Sequence, residues 1–391
     1  MRFFRIALFG VAIAAPAAAQ PIQFSGVLQG SVGYGTNPLV RPGVTAGTAQ
    51  ATGSFAPRLV YQTAKSSTTL EGAYSRDQYF SRFGHTDSLS TSLIRTDQLN
   101  EHLGSTLQAS FNSTNRATIA DPSTIDNEPL NIGRRTYRSS GQYQLQFQAS
   151  ARDQLNYGVQ IEHMAYGDNG GTGLPGLAAS SYTQYSTNVG YNRVLDARTT
   201  VGAQVNISTV HSKLYPDSRT VGPSLTIKRQ LTAIWEIDGN AGVIFQHVAG
   251  PFPSSAQSFS YGVNACGTYP RTHICVGAQH QASASGYGAL RTNSGVNASL
   301  TEQLSEKSRF TLSANYYKSS AAASTIGAHL PGALTAISSR ALLVNAQYDR
   351  DLTQRLSAGV GGTYQWRDTV RAGSGRAASA TVHLTAKLGR L

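Results

Sequence analysis

Glu236, Asp238 and Asn240 alternate along one short stretch of the chain. A carboxylate pair of this kind does acid–base work when its surroundings push the two pKa values apart. If the same side chains face water inside a pore, a different chemistry follows. Together with Glu71 and Glu162 they are then matched by bases such as Arg58 and Lys228, and the wall carries a transverse field. We favour this second reading. An activated hydroxyl needs a base within hydrogen-bond reach, and two sets offer one in sequence: His211 with Ser212, and His383 with Thr385. Neither matches the signature of a barrel phospholipase or a lipid A deacylase, and His211 falls in an expected loop, so catalysis is not expected. GDNGGTG at 167–173 lacks the repeat or the Lys of an ion or phosphate loop and reads as an external connection. Asp121, Asp126 and Glu128 could bridge a divalent ion of the outer leaflet.

Cys266 and Cys275 lie nine positions apart. In an exported protein the default for such a pair is a local disulfide, here closing a loop. His273 between them does not complete the four ligands of a structural zinc site. The sequence therefore calls for no metal and no cofactor.

The chain opens with Arg2 and Arg5, an apolar run from Ile6 to Ala15, and Ala17, Ala18 and Ala19 at the positions signal peptidase inspects. An export signal over 1–19 is expected, with the mature chain from Gln20 to Leu391 forming one domain. No later stretch approaches the roughly 20 apolar residues of a membrane-spanning helix. Charged residues are 13% of the chain, about half the ~25% usual in soluble domains, and Gly (39 residues), Tyr (19 residues), Ser, Thr, Gln and Asn take their place. That mixture suits a wall between lipid and water.

The pattern that positions these residues has a period of two. Phe24, Leu28, Val32 and Tyr34 share one face, with Gln23, Ser25, Gln29 and Ser31 on the other. Tyr143, Leu145 and Phe147 alternate with Gln142, Gln144, Gln146 and Gln148, and Leu342, Val344, Ala346 and Tyr348 alternate with Asn345 and Gln347. Such runs recur to Val382, Leu384, Ala386 and Leu388, each near the ~9–11 residues of a tilted membrane strand. Short charged turns, as at Ala64-Lys65, Arg152-Asp153 and Asp196-Ala197, alternate with longer connections such as 37–50, 113–134 and 319–336. The fold class expected is an all-β, antiparallel, up-and-down transmembrane β-barrel of the outer membrane. Counting hairpins gives about sixteen strands. The long interval between Arg229 and Leu304 leaves eighteen open, but sixteen is preferred because Ser283 to Gly288 is weakly patterned.

The segment GSVGYGTNPL at 30–39 resembles the outer-membrane β-barrel porins of proteobacteria, some of which accompany exopolysaccharide export systems. In that family a Tyr followed by Asn and Pro closes the first long strand, as Tyr34, Asn37 and Pro38 do here, although Gly35 stands where an Asp is frequent. The resemblance implies a pore or an export-associated role.

With Arg58, Glu71, Gln144, Gln146, Glu162, Lys228, Glu236, Asp238, Asn240 and Gln347 assigned to the lumen, the expected function is passage of hydrophilic solutes, including polysaccharide, with a mild anion preference. An outer-membrane hydrolase and a closed adhesive barrel are the alternatives. The expected partners are outer-membrane lipid, lipopolysaccharide, the barrel-assembly machinery and a polysaccharide export system. The net charge of +12 carries no basic stripe with interleaved aromatics, so nucleic acid is not among them. Arg134, Arg135, Arg138, Arg367, Arg371 and Arg376 are expected near strand ends, where they can meet lipopolysaccharide phosphates.

Overall fold

The computed structural model describes residues 22–389, except 82, 116–134, 168–180, 214–215, 250–252, 285–289, 322–338 and 370–372. The expected export signal, the 121–128 acids, the 167–173 glycine segment beyond Gly167, Arg134 and Arg371 lie outside the described residues.

Eighteen strands are found among the described residues: β1 (Gln23–Thr36), β2 (Gly47–Gln62), β3 (Ser66–Tyr79), β4 (His85–Gln98), β5 (Leu103–Thr114), β6 (Thr136–Gln148), β7 (Asp153–Tyr166), β8 (Tyr182–Asp196) and β9 (Thr199–Ser212) in the first half. The second half supplies β10 (Ser218–Gln230), β11 (Trp235–Val248), β12 (Ser254–Thr268), β13 (Thr272–Ala284), β14 (Leu290–Ser305), β15 (Ser308–Ala321), β16 (Ser339–Asp351), β17 (Leu356–Thr369) and β18 (Gly373–Gly389). Each pairs antiparallel with its neighbours in sequence, and β1 also pairs with β18 over Ser25–Thr36. The sheet is closed and has no edge, so every ladder finds a partner inside the wall. That is the condition for strands to cross hydrocarbon.

The period-two pattern decides which face meets lipid. Register aligns Phe24, Leu59, Leu70 and Leu93 across β1–β4, and all but Leu93 are among the exposed large apolar residues. The neighbouring row on the opposite face runs Ser25, Arg58, Glu71, Ser92, Ser110, Ser140 and Glu162 through β7. Phe55, Val189, Leu225, Val296, Val360 and Leu384 continue the apolar band around the outside.

Both terminal strands begin or end at the side where connections are short, as in the β2–β3 turn, where Thr63 N–H donates to the Ser66 carbonyl at 2.7 Å. Connections at the other side reach 21 residues at 115–135 and 17 at 322–338. By the rule of short periplasmic turns and long outer loops, that second side is the external one.

The strand count is eighteen, the alternative the sequence left open, rather than the preferred sixteen. The interval after Arg229 holds β11–β14, so the cysteines sit on either side of a tight turn at 269–271, at the periplasmic end. They do not close a long external loop. Ser283 to Gly288 lacked pattern because β13 stops at Ala284.

Candidate functional site

The lumen wall is built from the inward row of every strand. Arg58 and Glu71 are direct cross-strand partners and form an ion pair at 3.1 Å, with both side chains about half exposed to the interior water. Lys228 and Glu236 flank the β10–β11 turn and pair at 3.0 Å. Asp238 and Asn240 face the same way as Glu236; Asn264 Nδ2 donates to Asp238 Oδ2 at 3.1 Å. Gln144 and Gln146 lie on the inward face of β6, and Gln347 on β16 donates to both oxygens of Asp349 at 3.0 Å. Glu162 is the outlier in burial, 4% exposed, and Arg138 Nη2 donates to its Oε2 at 2.8 Å. Thus Arg138 turns inward rather than toward lipopolysaccharide, as does Arg367 on β17.

A second inward group was not legible as a set. His383 on β18 places Nε2 2.7 Å from Asp349 Oδ1 on β16, two strands away, with Arg309 Nη2 4.0 Å from the other oxygen. The strand between contributes Gly359, where any Cβ would stand 2.5 Å from His383 Nε2. The missing side chain is what lets the imidazole lie across β17. Lys387 and Asp351 form a further inward pair at 3.8 Å.

Among the residues whose side chains are described, the inward bases are thus Arg58, Arg138, Lys228, Arg309, Arg367 and Lys387, set against Glu71, Asp77, Glu162, Glu236, Asp238, Asp349 and Asp351. Acids and bases nearly balance, and most are paired. The chain's basic excess therefore lies chiefly on the lipid-facing surface, the rims and the connections. One rim cation is Arg135, which donates to both oxygens of Asp87 at 2.7 Å; that hydrogen bonding raises the guanidinium's pKa above its ordinary value.

The external end of the lumen is narrowed from within. The β1–β2 connection, 37–46, turns into the barrel, and Val40, 1% exposed, packs on inward-facing Tyr317, Ala341 and Ala377 of β15, β16 and β18. Asn37 is fully buried. Its Nδ2 donates to the carbonyls of Arg41 (2.8 Å) and Arg376 (3.2 Å), while its Oδ1 accepts from Arg41 N–H at 2.8 Å. Asn37 and Val40 both adopt left-handed backbone, φ 45° and 49°. Asn tolerates that region, whereas a β-branched residue is held there only where its surroundings over-determine it. Gly375 leaves the room, since a Cβ would lie 2.6 Å from the Val40 carbonyl oxygen. Beneath this loop is a polar cavity of about 160 Å³ lined by Gln50, Asp77, Tyr79, Thr363 and Gln365 among others. On the far side of the external end, inward Met164, Tyr182 and Val210 form a second buried cluster.

The candidate catalytic sets come apart. His211 lies on β9, not in a loop, and faces lipid with its Nδ1 2.7 Å from Asp217, whereas Ser212 faces the lumen. His383 spends its Nε2 on Asp349. Other His–hydroxyl contacts exist, such as His280 with Ser294 at 2.7 Å on the outer face. Among the described residues no carboxylate orients that ring, so His280 and Ser294 lack the third member of an activated nucleophile. Cys266 and Cys275 are joined by a disulfide on the lumen side of β12 and β13, with His273 Nε2 3.2 Å from Cys275 Sγ. Both sulfurs being occupied, the cluster offers a metal one ligand.

A closed eighteen-stranded sheet, apolar outside and polar within, defines a transmembrane β-barrel of the bacterial outer-membrane type. No protein-family model and no curated protein sequence matches the chain. Among solved structures it is similar to the FrpB iron transporter of Neisseria meningitidis in its apoprotein form, with a TM-score of 0.50, 8% identity, and coverage of 95% of this chain and 82% of that one. It also aligns with Pseudomonas aeruginosa OprD at a TM-score of 0.46 and 10% identity, over 96% and 98% of the two chains. The likeness to FrpB carries the fold and nothing finer.

Proposed function

We propose that the barrel is a passive outer-membrane pore for small hydrophilic solutes, with the inturned 37–46 loop as its constriction. The observation that carries this reading is the continuous polar inner wall, charge-balanced and rich in Gln, Asn, Ser and Thr. A barrel of 16–18 strands is wide enough to keep an aqueous channel. Uncharged polar groups exchange hydrogen bonds with a passing solute without holding it, which conduction requires. Paired acids and bases leave little net field, so the reading favours weak ion selectivity over a marked anion preference.

The same hydroxyl- and amide-rich wall suits sugar hydroxyls, and the resemblance at residues 30–39 supports a polysaccharide chain as an alternative cargo. Insertion by the barrel-assembly machinery, and any coupling to a polysaccharide export system, belong to the proposal as partners. Liposome swelling with sugars of increasing size tests it. Entry of mono- and disaccharides that falls off with size is expected; liposomes that swell no faster than protein-free ones would refute the reading.

A further inference from the structure

Three cations on the outer face of the external rim have no side-chain partner among the described residues. Register sets Lys318 on β15 directly opposite Arg340 on β16, Arg340 opposite Asp368 on β17, and Arg376 on β18 opposite Trp366, two residues from Asp368 on the same face. Their parity is that of Tyr316, Leu342, Tyr364 and Val382, so all point to lipid, and all three cations are exposed. Among the described residues none makes a side-chain hydrogen bond or ion pair, and Asp368 is in no ion pair with them. Some outward charges elsewhere are paired: Arg135 holds Asp87 at 2.7 Å, and Arg193 lies 3.8 Å from Asp153.

Like charges directly opposed across two strands repel. Asp368 faces Arg340 alone, so an anion lying over the patch would relieve the repulsion between Lys318 and Arg340. The location says which anion. Tyr316 and Trp366 share a register row with Arg376 and lie one row toward the membrane centre from Lys318 and Arg340, with Tyr364 one row further in; these are the amphipathic rings that mark the headgroup zone. The patch begins level with these rings and extends to their external side, where the leaflet's lipid presents phosphate. Arg guanidinium forks match phosphoryl oxygens two at a time, and Lys adds a point charge.

We propose that Lys318, Arg340 and Arg376 form a docking site for the phosphoryl groups of the outer-leaflet glycolipid, lipopolysaccharide. Asp368, directly opposite Arg340 in register, repels weak anions and so limits the site to a strongly anionic headgroup.

The test is retention of lipid A by the folded full-length barrel in detergent, read by native mass spectrometry. Phosphorylated lipid A, its phosphate-free form and inorganic phosphate are compared. The proposal expects retention of the phosphorylated lipid alone. The combined variant Lys318→Gln, Arg340→Gln, Arg376→Gln should lower it at least about tenfold, while heat-modifiable mobility and channel conductance stay those of the parent. Arg350→Gln, on the outer face at the periplasmic end, should leave retention unchanged. Equal retention of phosphate-free lipid, equal occupancy by inorganic phosphate, or an unaltered triple variant would each overturn the site. None of these outcomes bears on whether the lumen conducts.

Discussion

Asn37 donates its side-chain amide to the carbonyl of Arg376, 339 positions away, and so ties the first external loop to the last strand beside the seam where the sheet closes. The same side chain fixes Arg41 through two further bonds, at 2.8 Å each. One residue thereby holds the loop folded and holds it inside.

Replacing Asn37 with Ala removes all three bonds, at a local cost of about 1–3 kcal/mol. The strand ladder is untouched. Single-channel conductance should rise as the loop leaves the lumen, with the heat-modifiable mobility of the folded barrel preserved. An unchanged conductance would mean that 37–46 does not limit passage.

The two faces of a strand can be told apart by a single charge. Val382, 58% exposed, faces lipid near the middle of β18, and Thr381 faces the lumen. Val382→Arg should cost about 2–4 kcal/mol in folding titrations into lipid vesicles, and Thr381→Arg should cost less than about 1. The reverse order would show that the inside and outside have been exchanged.

Glu162 is buried with no partner for its Oε1 among the described residues, so Arg138 is what makes its charge tolerable. Arg138→Ala should destabilise the barrel by about 3 kcal/mol, less than a fully buried pair because the guanidinium is partly exposed. Arg138→Ala combined with Glu162→Gln should recover much of that loss. A double variant as unstable as the single one would assign the cost to packing.

Lys228 neutralises Glu236 at the periplasmic mouth. In a salt gradient the parent should show a reversal potential near zero, and Lys228→Gln should shift it toward cation preference. A strong anion preference in the parent would indicate that charges outside the described wall control passage.

How much of this could be read from residue order depends on the range of each contact. The barrel was legible because alternation is a local property: a residue's face is set by its neighbours, as for Tyr143, Leu145 and Phe147. The Lys228–Glu236 pair was within reach for the same reason, since both flank one tight turn. The β12–β13 hairpin was missed because the nine-residue spacing of Cys266 and Cys275 fits a stapled loop as well as a tight turn, and Gly262 and Gly277 thin the lumen face of the two strands. His383 with Asp349 required knowing that Gly359 stands between them. The inward fold of 37–46 rests on Val40 meeting Tyr317 and Ala341, partners that no local pattern announces. Arg138 was placed toward lipopolysaccharide because a basic residue near a strand end reads as exposed; only the register with Glu162 turns it inward.

The most direct test is conductance of the purified barrel in a planar lipid bilayer. Discrete, voltage-tolerant steps with little discrimination between potassium and chloride are what a charge-balanced open lumen predicts. A bilayer that stays silent with folded protein demonstrably inserted would contradict the account, because the lumen would then be closed to water.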